Sequence, residues 1–566
     1  MDFKYIIALS TLITAFFSAG AQSSYLQALE TPNPWVDSVF KSLNKTEKIA
    51  QLFFVRAHTN RGKAYEDSVA KVIKRERIGG LVFFQGGPGR QAVLTNTYQS
   101  LAEVPLLIMS DGEWGLGMRL DSTIAYPYQM ALGAIQQPQL LYRMGQEIAK
   151  DYKRIGMHMN LAPDVDINNN INNPVINYRS FGDNKYHVTA RAGAYMKGMQ
   201  DGGLLVTLKH FPGHGDTDVD SHYDLPLLPF SRERLDSLEI YPFRELIQAG
   251  AAGVMIAHMN IPALDPTKNI PSTLSRPIVQ GILKDGLGFK GLVVTDAMEM
   301  KGVVKHFPEG EADVMSIVAG NDILELSENS RRGIRMVRRA VRQERIPMER
   351  IDESVKKILT AKYWAGLHTR DTINEHHVYD DVNRAESIHL RKELANAAMT
   401  MVKGKSYINT LSSAKRTVIV AVGTPDETLF QRELRSYYSG STTYRLDKNA
   451  SANQISAVMR NIGTQDQIIV SIHDTRVRPG NNIPLSADLK MFIRDMAARK
   501  ASFALFANPY NLAVLPGLEQ AGALLLAYQK EDFMQQAAAD VFKNKLVPTG
   551  KLPVTINAYF KAGDGE

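Results

Sequence analysis

Residues 203–222 read GLLVTLKHFPGHGDTDVDSH, and the change of character at Lys209 decides how the chain is read. Gly203–Leu208 is apolar and of strand length, which suits a strand buried on both faces, as in a parallel sheet. From Lys209 onward Pro212, Gly213 and Gly215 exclude regular structure, and His210, His214, Asp216, Asp218, Asp220 and His222 crowd into one irregular loop. Chemistry in α/β proteins sits where parallel strands end, so this loop is the candidate site. Two plainer readings compete with it. Loops are polar by default, and a solvated connection has this composition too. His210 and His214, four apart with Asp216, Asp218 and Asp220 behind them, are ligand types that zinc or manganese accepts. No HExxH spacing is present, and Pro212 and Gly213 keep the two histidines off one helical face, so no metal or other cofactor is expected.

Working outward, apolar runs recur at 51–58, 80–84, 105–111, 157–164, 204–210, 253–259, 291–296 and 322–326, separated by helical stretches. This alternation predicts an α/β chain whose first domain, 25–365, is a (β/α)8 TIM-type barrel. A doubly wound sheet is the competing arrangement. The barrel is favoured because Asp111, Asp164, Lys209, His210, His258 and Asp296 stand at run ends, and a barrel brings all such ends to one mouth. QGGPGR at 85–90 lacks the GK[ST] ending and GEWGLG at 112–117 lacks the GxGxxG order, so neither supports phosphate binding. The arginines of 327–365 are spaced as a solvated helix face. Residues 366–390 read as a polar linker. Apolar runs at 417–423, 467–473, 502–507, 523–528 and 552–556 predict a smaller α/β sandwich domain over 391–560.

The chain has 566 residues, a net charge of +7 and no cysteine, so disulfides, thiolate catalysis and cysteine-ligated metals are excluded. No basic run interleaved with aromatics supports a nucleic-acid partner. Residues 1–21 have the form of a secretory signal peptide: Lys4, an apolar run from Ile6 to Phe17, and Ala19-Gly20-Ala21 before Gln22. The run is shorter than the ~20 residues needed to span a bilayer. An exported protein, periplasmic or secreted, with no membrane association after cleavage is the expectation.

The second informative strand end is GLVVTDAM at 291–298, where Asp296 follows an apolar run and stands as nucleophile, electrostatic stabiliser or cap of a helix expected over Ala297–Val304. Together KHFPGHGDTDVDSH and GLVVTDAM resemble the family 3 glycoside hydrolases, in the branch of β-N-acetylglucosaminidases with an Asp-His acid/base pair. SDGEWGLGMR at 110–119, LAPDVDI at 161–167 and NPVINYRSFGDN at 173–184 extend the likeness over nearly all the chain after residue 21. The resemblance implies Asp296 as catalytic nucleophile, His222 as general acid/base and Asp220 as its partner. It also implies Asp111, Arg119, Arg179, Lys209 and His210 as substrate-binding residues. The 111 loop departs from the commoner DQEGGRV form; Glu113 is kept while Trp114 and Leu116 intrude.

Retaining glycosidases need a nucleophile and a proton donor on opposite sides of the scissile bond. An Asp220 carboxylate accepting from Nδ1–H of His222 would leave Nε2 for the glycosidic oxygen. The chain is therefore expected to be a retaining exo-β-N-acetylglucosaminidase acting on GlcNAc-containing oligosaccharides such as peptidoglycan fragments. The rivals are a family 3 β-glucosidase or β-xylosidase, a GlcNAc phosphorylase and a metal-dependent hydrolase. His214 and His258 are expected to shape the site, and Asp164 and Asp166 to fix the loop after the fourth strand.

Overall fold

The computed structural model describes residues 24–221, 223–308, 310–463 and 467–566. The signal-like segment 1–21 and His222 lie outside the described residues. Each of the eight apolar runs of the first unit contains a strand. They are β1 Phe53–Ala57, β2 Gly80–Phe83, β3 Leu107–Ser110, β4 Met159–Asn160, the pair β5 Leu205–Val206 and β6 Leu208–Phe211, β7 Gly253–Ile256, β8 Leu292–Thr295 and β9 Leu324–Glu325.

All of these strands pair in parallel. A six-stranded half-barrel sheet has the order β5-β4-β3-β2-β1-β9, and β6-β7-β8 form a three-stranded sheet. At one seam only Thr207 separates β5 from β6, and Lys209 N–H donates to Pro163 O at 3.2 Å. At the other, Thr295 N–H donates to Ile323 O and Ile323 N–H to Val293 O, both at 3.0 Å.

Every position of β2, β3, β6, β7 and β8 is buried, as expected of parallel strands covered on both faces. Each Val, Leu or Ile so enclosed contributes about 1.5–3 kcal/mol of transfer free energy. Behind the sheet, helices Pro138–Arg154 and Lys185–Asp201 lie backbone to backbone. A Cβ on Gly198 would stand 2.0 Å from Tyr142 O, so only glycine permits this approach. Helix Ser330–Arg342 buries Ile334, Val337 and Ala340 and turns Arg331, Arg335, Arg338, Arg339 and Arg342 to solvent, the solvated face read from its spacing.

A second sheet follows, made of β10 Thr400–Lys403, β11 Thr417–Val422, β12 Thr442–Leu446, β13 Gln467–His473, β14 Ser502–Phe506 and β15 Ala523–Leu526. Its order is β10-β15-β14-β13-β11-β12, parallel except for the antiparallel β10–β15 edge. The apolar stretch 552–556 forms no strand. Its Pro553 carbonyl instead accepts from Asp183 N–H of the first unit at 3.2 Å. The polar stretch 366–390 holds the short helix Val378–Asp381 and the start of helix Ala385–Ala398, and it lies against the first unit through Arg154–Asp381 at 2.7 Å.

The two units are joined by buried and half-buried polar contacts. Tyr510 Oη donates to Asn168 O at 2.8 Å, Asn508 Nδ2 donates to Asn177 Oδ1, and Tyr128 N–H donates to Gln529 Oε1 at 2.7 Å.

Candidate active site

Parallel pairing puts the C-terminal ends of the first unit's strands on one side, and the polar residues of the sequence follow there. Asp111 comes directly after β3, Lys209 and His210 lie within β6, Asp296 comes directly after β8, and Glu325 ends β9. An isolated parallel bridge pairs Asp164 with Lys209. Lys209 N–H and Val165 N–H complete the joint between the β4 and β6 segments through Pro163 O and Lys209 O.

Lys209 is the centre of an ion cluster. Its ammonium stands 2.8 Å from Asp111 Oδ1 and 2.9 Å from Glu113 Oε1, and the residue is 1 % exposed. Arg119 pairs with Asp111 Oδ2 at 2.5 Å, and Arg179 pairs with Glu113 at 2.7 Å. Burial alone would push both carboxyls up. Lys209 and Arg119 outweigh it at Asp111 and hold that carboxyl far below the usual range. Arg179 and Lys209 hold Glu113 at about 2. The reciprocal effect raises Lys209 and Arg179 against the pull of burial, so all four groups are ionised.

A second cluster adjoins the first. His210 Nδ1 lies 2.7 Å from Asp166 Oδ2, and Arg179 Nη2 lies 3.4 Å from His210 Nε2. Since a guanidinium only donates, Nε2 is the acceptor and Nδ1–H donates to Asp166. Burial, then repulsion from Asp166, pushes Asp164 well up, whereas His210 overcomes burial to keep Asp166 low. Asp164, Asp166 and His210 have ligand atoms within 4.8 Å of one another, the grouping able to hold a cation among the described residues. The Arg179 guanidinium stands 3.9 Å from Asp164 Oδ2 and already supplies positive charge there.

The loop from Phe211 to Ser221 is held by its own polar groups. His214 N–H donates to Asp166 Oδ1 at 2.6 Å, and its ring lies between Thr217 Oγ1 at 2.8 Å and Ser221 Oγ at 3.2 Å. Burial, then His210, pushes His214 down to about 4, so the ring is neutral and shapes the loop. A Cβ on Gly215 would stand 1.8 Å from Ile167 O, which fixes glycine where this loop crosses the one after β4. Asp220 is half-buried, and its carbonyl accepts from Tyr223 N–H at 3.0 Å. His258 is buried, with Nε2 3.1 Å from Ala297 O and Nδ1 2.6 Å from Thr273 Oγ1.

Asp296 is half-buried and its Oδ1 accepts from Ala297 N–H at 2.7 Å. The helix expected from Ala297 begins only at Lys301, so Asp296 is not its N-cap. Facing the second unit, Trp114, Tyr128 and Tyr178 pack together with ring centroids 4.8–6.2 Å apart. Phe84, directly after β2, lies beneath two guanidiniums, Arg56 at 4.1 Å and Arg119 at 4.7 Å.

The structure thus brings Asp111, Arg119, Arg179, Lys209 and His210 into one connected network. Sequence reading gave no role to two members of this region, noting Glu113 only as a kept residue of its loop and not naming Glu325. Glu113 shares Lys209 and Arg179 yet lies in a loop with no strand-end signal. Glu325 was hidden inside the apolar run 322–326, although a carboxylate ending such a run is the same signal that marks Asp111 and Asp296.

Comparison with known proteins narrows the chemistry. The model of the glycosyl hydrolase family 3 N-terminal domain matches residues 45–361. Beta-hexosaminidase A of Pseudoalteromonas piscicida is 30% identical over 407 residues, covering 66% of this chain and 68% of that protein. A solved family 3 beta-N-acetylglucosaminidase from Paenibacillus sp. str. FPU-7 superposes with a TM-score of 0.78 at 30% identity, covering 91% of this chain and 99% of that one. The solved beta-glucoside phosphorylase BglX, at 23% identity and a TM-score of 0.80 over 94% of this chain and 96% of that one, shares the fold. With its ionised cluster at the strand ends and a family match over more than half its length, the chain belongs to glycosyl hydrolase family 3.

Proposed function

We propose that the protein is an exported, retaining exo-β-N-acetylglucosaminidase that removes terminal β-linked GlcNAc from peptidoglycan fragments or related oligosaccharides. The parallel strands then form a closed (β/α)8 barrel over residues 25–365, joined by a linker over 366–390 to an α/β sandwich over 391–560. Among the described residues no helix is long and apolar enough to cross a membrane.

The observation that carries the reading is the Asp111–Lys209–Glu113–Arg179 network with Arg119 attached, set at the same ends of the parallel strands as Asp296. Ionised carboxylates accept from sugar hydroxyls, and the ammonium and guanidinium groups donate to them, so the network is a ready recognition surface for a pyranose. The relatives that share about 30% identity are a beta-hexosaminidase and a beta-N-acetylglucosaminidase, which supports GlcNAc as that sugar.

In the proposed mechanism Asp296 attacks the anomeric carbon while the bond to the aglycone oxygen breaks, and His222 gives that oxygen its proton. Asp220 holds the imidazole and favours its charged form. A water then loses a proton to His222 and attacks the same carbon, and the Asp296 carboxylate leaves. Two inversions give net retention.

Initial rates on aryl β-N-acetylglucosaminide, β-glucoside and β-xyloside, each with and without phosphate, test the reading. The GlcNAc substrate should be preferred and free sugar should form in both buffers. Preference for glucoside or xyloside overturns the substrate assignment. Sugar 1-phosphate as product makes the protein a phosphorylase, and activity lost on chelation and restored by zinc or manganese makes it a metal-dependent hydrolase.

A further inference from the structure

Glu325 has no part in the mechanism above, yet it is a buried carboxyl at the mouth of the strands. Its main chain is fastened on both sides of Asp296. Glu325 N–H donates to Thr295 Oγ1 at 2.9 Å, and Met298 N–H donates to Glu325 O at 2.8 Å. Leu324 N–H and Leu326 N–H, on either side of Glu325, donate to Leu52 O and Phe54 O of the β1 segment, at 2.8 and 3.0 Å. The residue is 3 % exposed, and its Oε2 is buried with no hydrogen-bond partner.

The charged groups within electrostatic reach of it come from three segments: Asp111 and Arg119 from the loop after β3, Asp296 from the end of β8 and Lys209 from β6. Lys209 and Arg119 are already committed to Asp111 and Glu113. An ionised Glu325 would hold a buried oxygen that no donor meets, beside two other carboxylates. A protonated Glu325 needs only an acceptor, and carboxylates are what surround it. Burial, then Asp111 and Asp296, accordingly push this carboxyl well above the usual range.

We propose that Glu325 is a further positioning residue for the reaction: it keeps its proton in the working enzyme and offers the O–H to the Asp296 carboxylate, holding the nucleophile in its attacking orientation. The proton stays on Glu325 throughout, so no bond to substrate forms or breaks there. Loss of that proton would leave two acceptor-only groups face to face and swing Asp296 away. The inference rests on the reading of Asp296 as nucleophile.

The test compares Glu325→Gln, which keeps a donor and cannot ionise, with Glu325→Met, which fills a similar volume without one. Two measurements are made on the full chain. The first is the infrared difference spectrum of wild type against E325Q at neutral pH, in which the C=O band of a protonated carboxyl should be lost. The second is kcat/KM for 2,4-dinitrophenyl β-N-acetylglucosaminide, whose leaving group needs no acid. There E325M should fall at least tenfold, and E325Q should recover most of that loss. Absence of a protonated-carboxyl band, or equal rates in E325M and E325Q, overturns the proposal. A protonated residue that merely fills space would give the band but no rescue by the amide. If Asp296→Asn retains turnover, the nucleophile reading fails instead, whichever way the Glu325 variants behave.

Discussion

Replacing Lys209 by methionine removes a cation shared by Asp111 and Glu113 while keeping most of the side-chain volume. At contacts of 2.8 and 2.9 Å the gross attraction is about 6 kcal/mol each for an effective dielectric near 20. Desolvation offsets most of this, and breaking a buried pair costs about 3–5 kcal/mol net. The lower end applies here, because Asp111 keeps Arg119 and Glu113 keeps Arg179. We therefore expect a loss of about 3 kcal/mol in urea unfolding at pH 7 and a fall in kcat/KM of at least tenfold, equal to about 1.4 kcal/mol of transition-state stabilisation.

The pH dependence has a definite sign. Glu113 is held at about 2 in the folded protein against an ordinary 4.5, so its contribution is present above the ordinary value and is lost as pH falls from 4.5 toward 2. The Lys209→Met protein has less of this stability to lose, so the gap between the two proteins should narrow in acid. Stability that falls with unchanged kinetics would refute the substrate-binding role, and an undiminished urea midpoint would refute the ion-cluster energetics.

Asp296→Asn should abolish turnover with circular dichroism unchanged, because an amide neither attacks nor stabilises an oxocarbenium ion; near-wild-type activity in a pure preparation would exclude Asp296 as nucleophile. His222→Ala should release a burst of phenol from aryl glycosides with good leaving groups, while natural oligosaccharides lose a factor on the order of 10² to 10⁴ without a burst; equal losses on both would move the acid/base elsewhere. Asp322→Asn should cost about 3 kcal/mol in urea unfolding, since Asp322 is the buried carboxylate facing Lys284, Arg350 and Lys357 at 3.8, 2.9 and 3.3 Å, and Glu353, which pairs with the same three cations, is half-exposed. Asp322 lies at the opposite strand end from the site, so kcat/KM per folded molecule should stay within about twofold if the ion-pair cost is purely structural.

What was legible in the sequence followed from burial. Strands β2, β3, β6, β7 and β8 are enclosed on both faces and read as continuous apolar runs. The edge strand β12, with one buried residue in five, left no such run and was missed, as was the half-buried antiparallel edge β10. The stretch 552–556 looked like a strand because it is apolar, but its apolar residues pack beside the first unit and the Pro553 carbonyl bonds there. Asp111, Lys209 and Asp296 announced themselves as polar residues ending apolar runs. Glu113 depends on two cations from distant segments, Lys209 and Arg179, and no local pattern encodes that meeting.

The contacts between the two units bear on how this enzyme dies on heating. Asn168, Asn177, Asn508 and Tyr510 are all at most 4 % exposed, and Arg179 follows Asn177 by two residues in the same turn. If the second sheet were to melt first, Asn168 and Asn177 would lose their partners while still buried, and the turn that aims Arg179 at Glu113 would lose its brace. Inactivation and unfolding of the C-terminal sheet should then be one cooperative event. A chimaera that exchanges the second sheet for a relative's would inherit that fragility unless residues matching Asn508 and Tyr510 came with it.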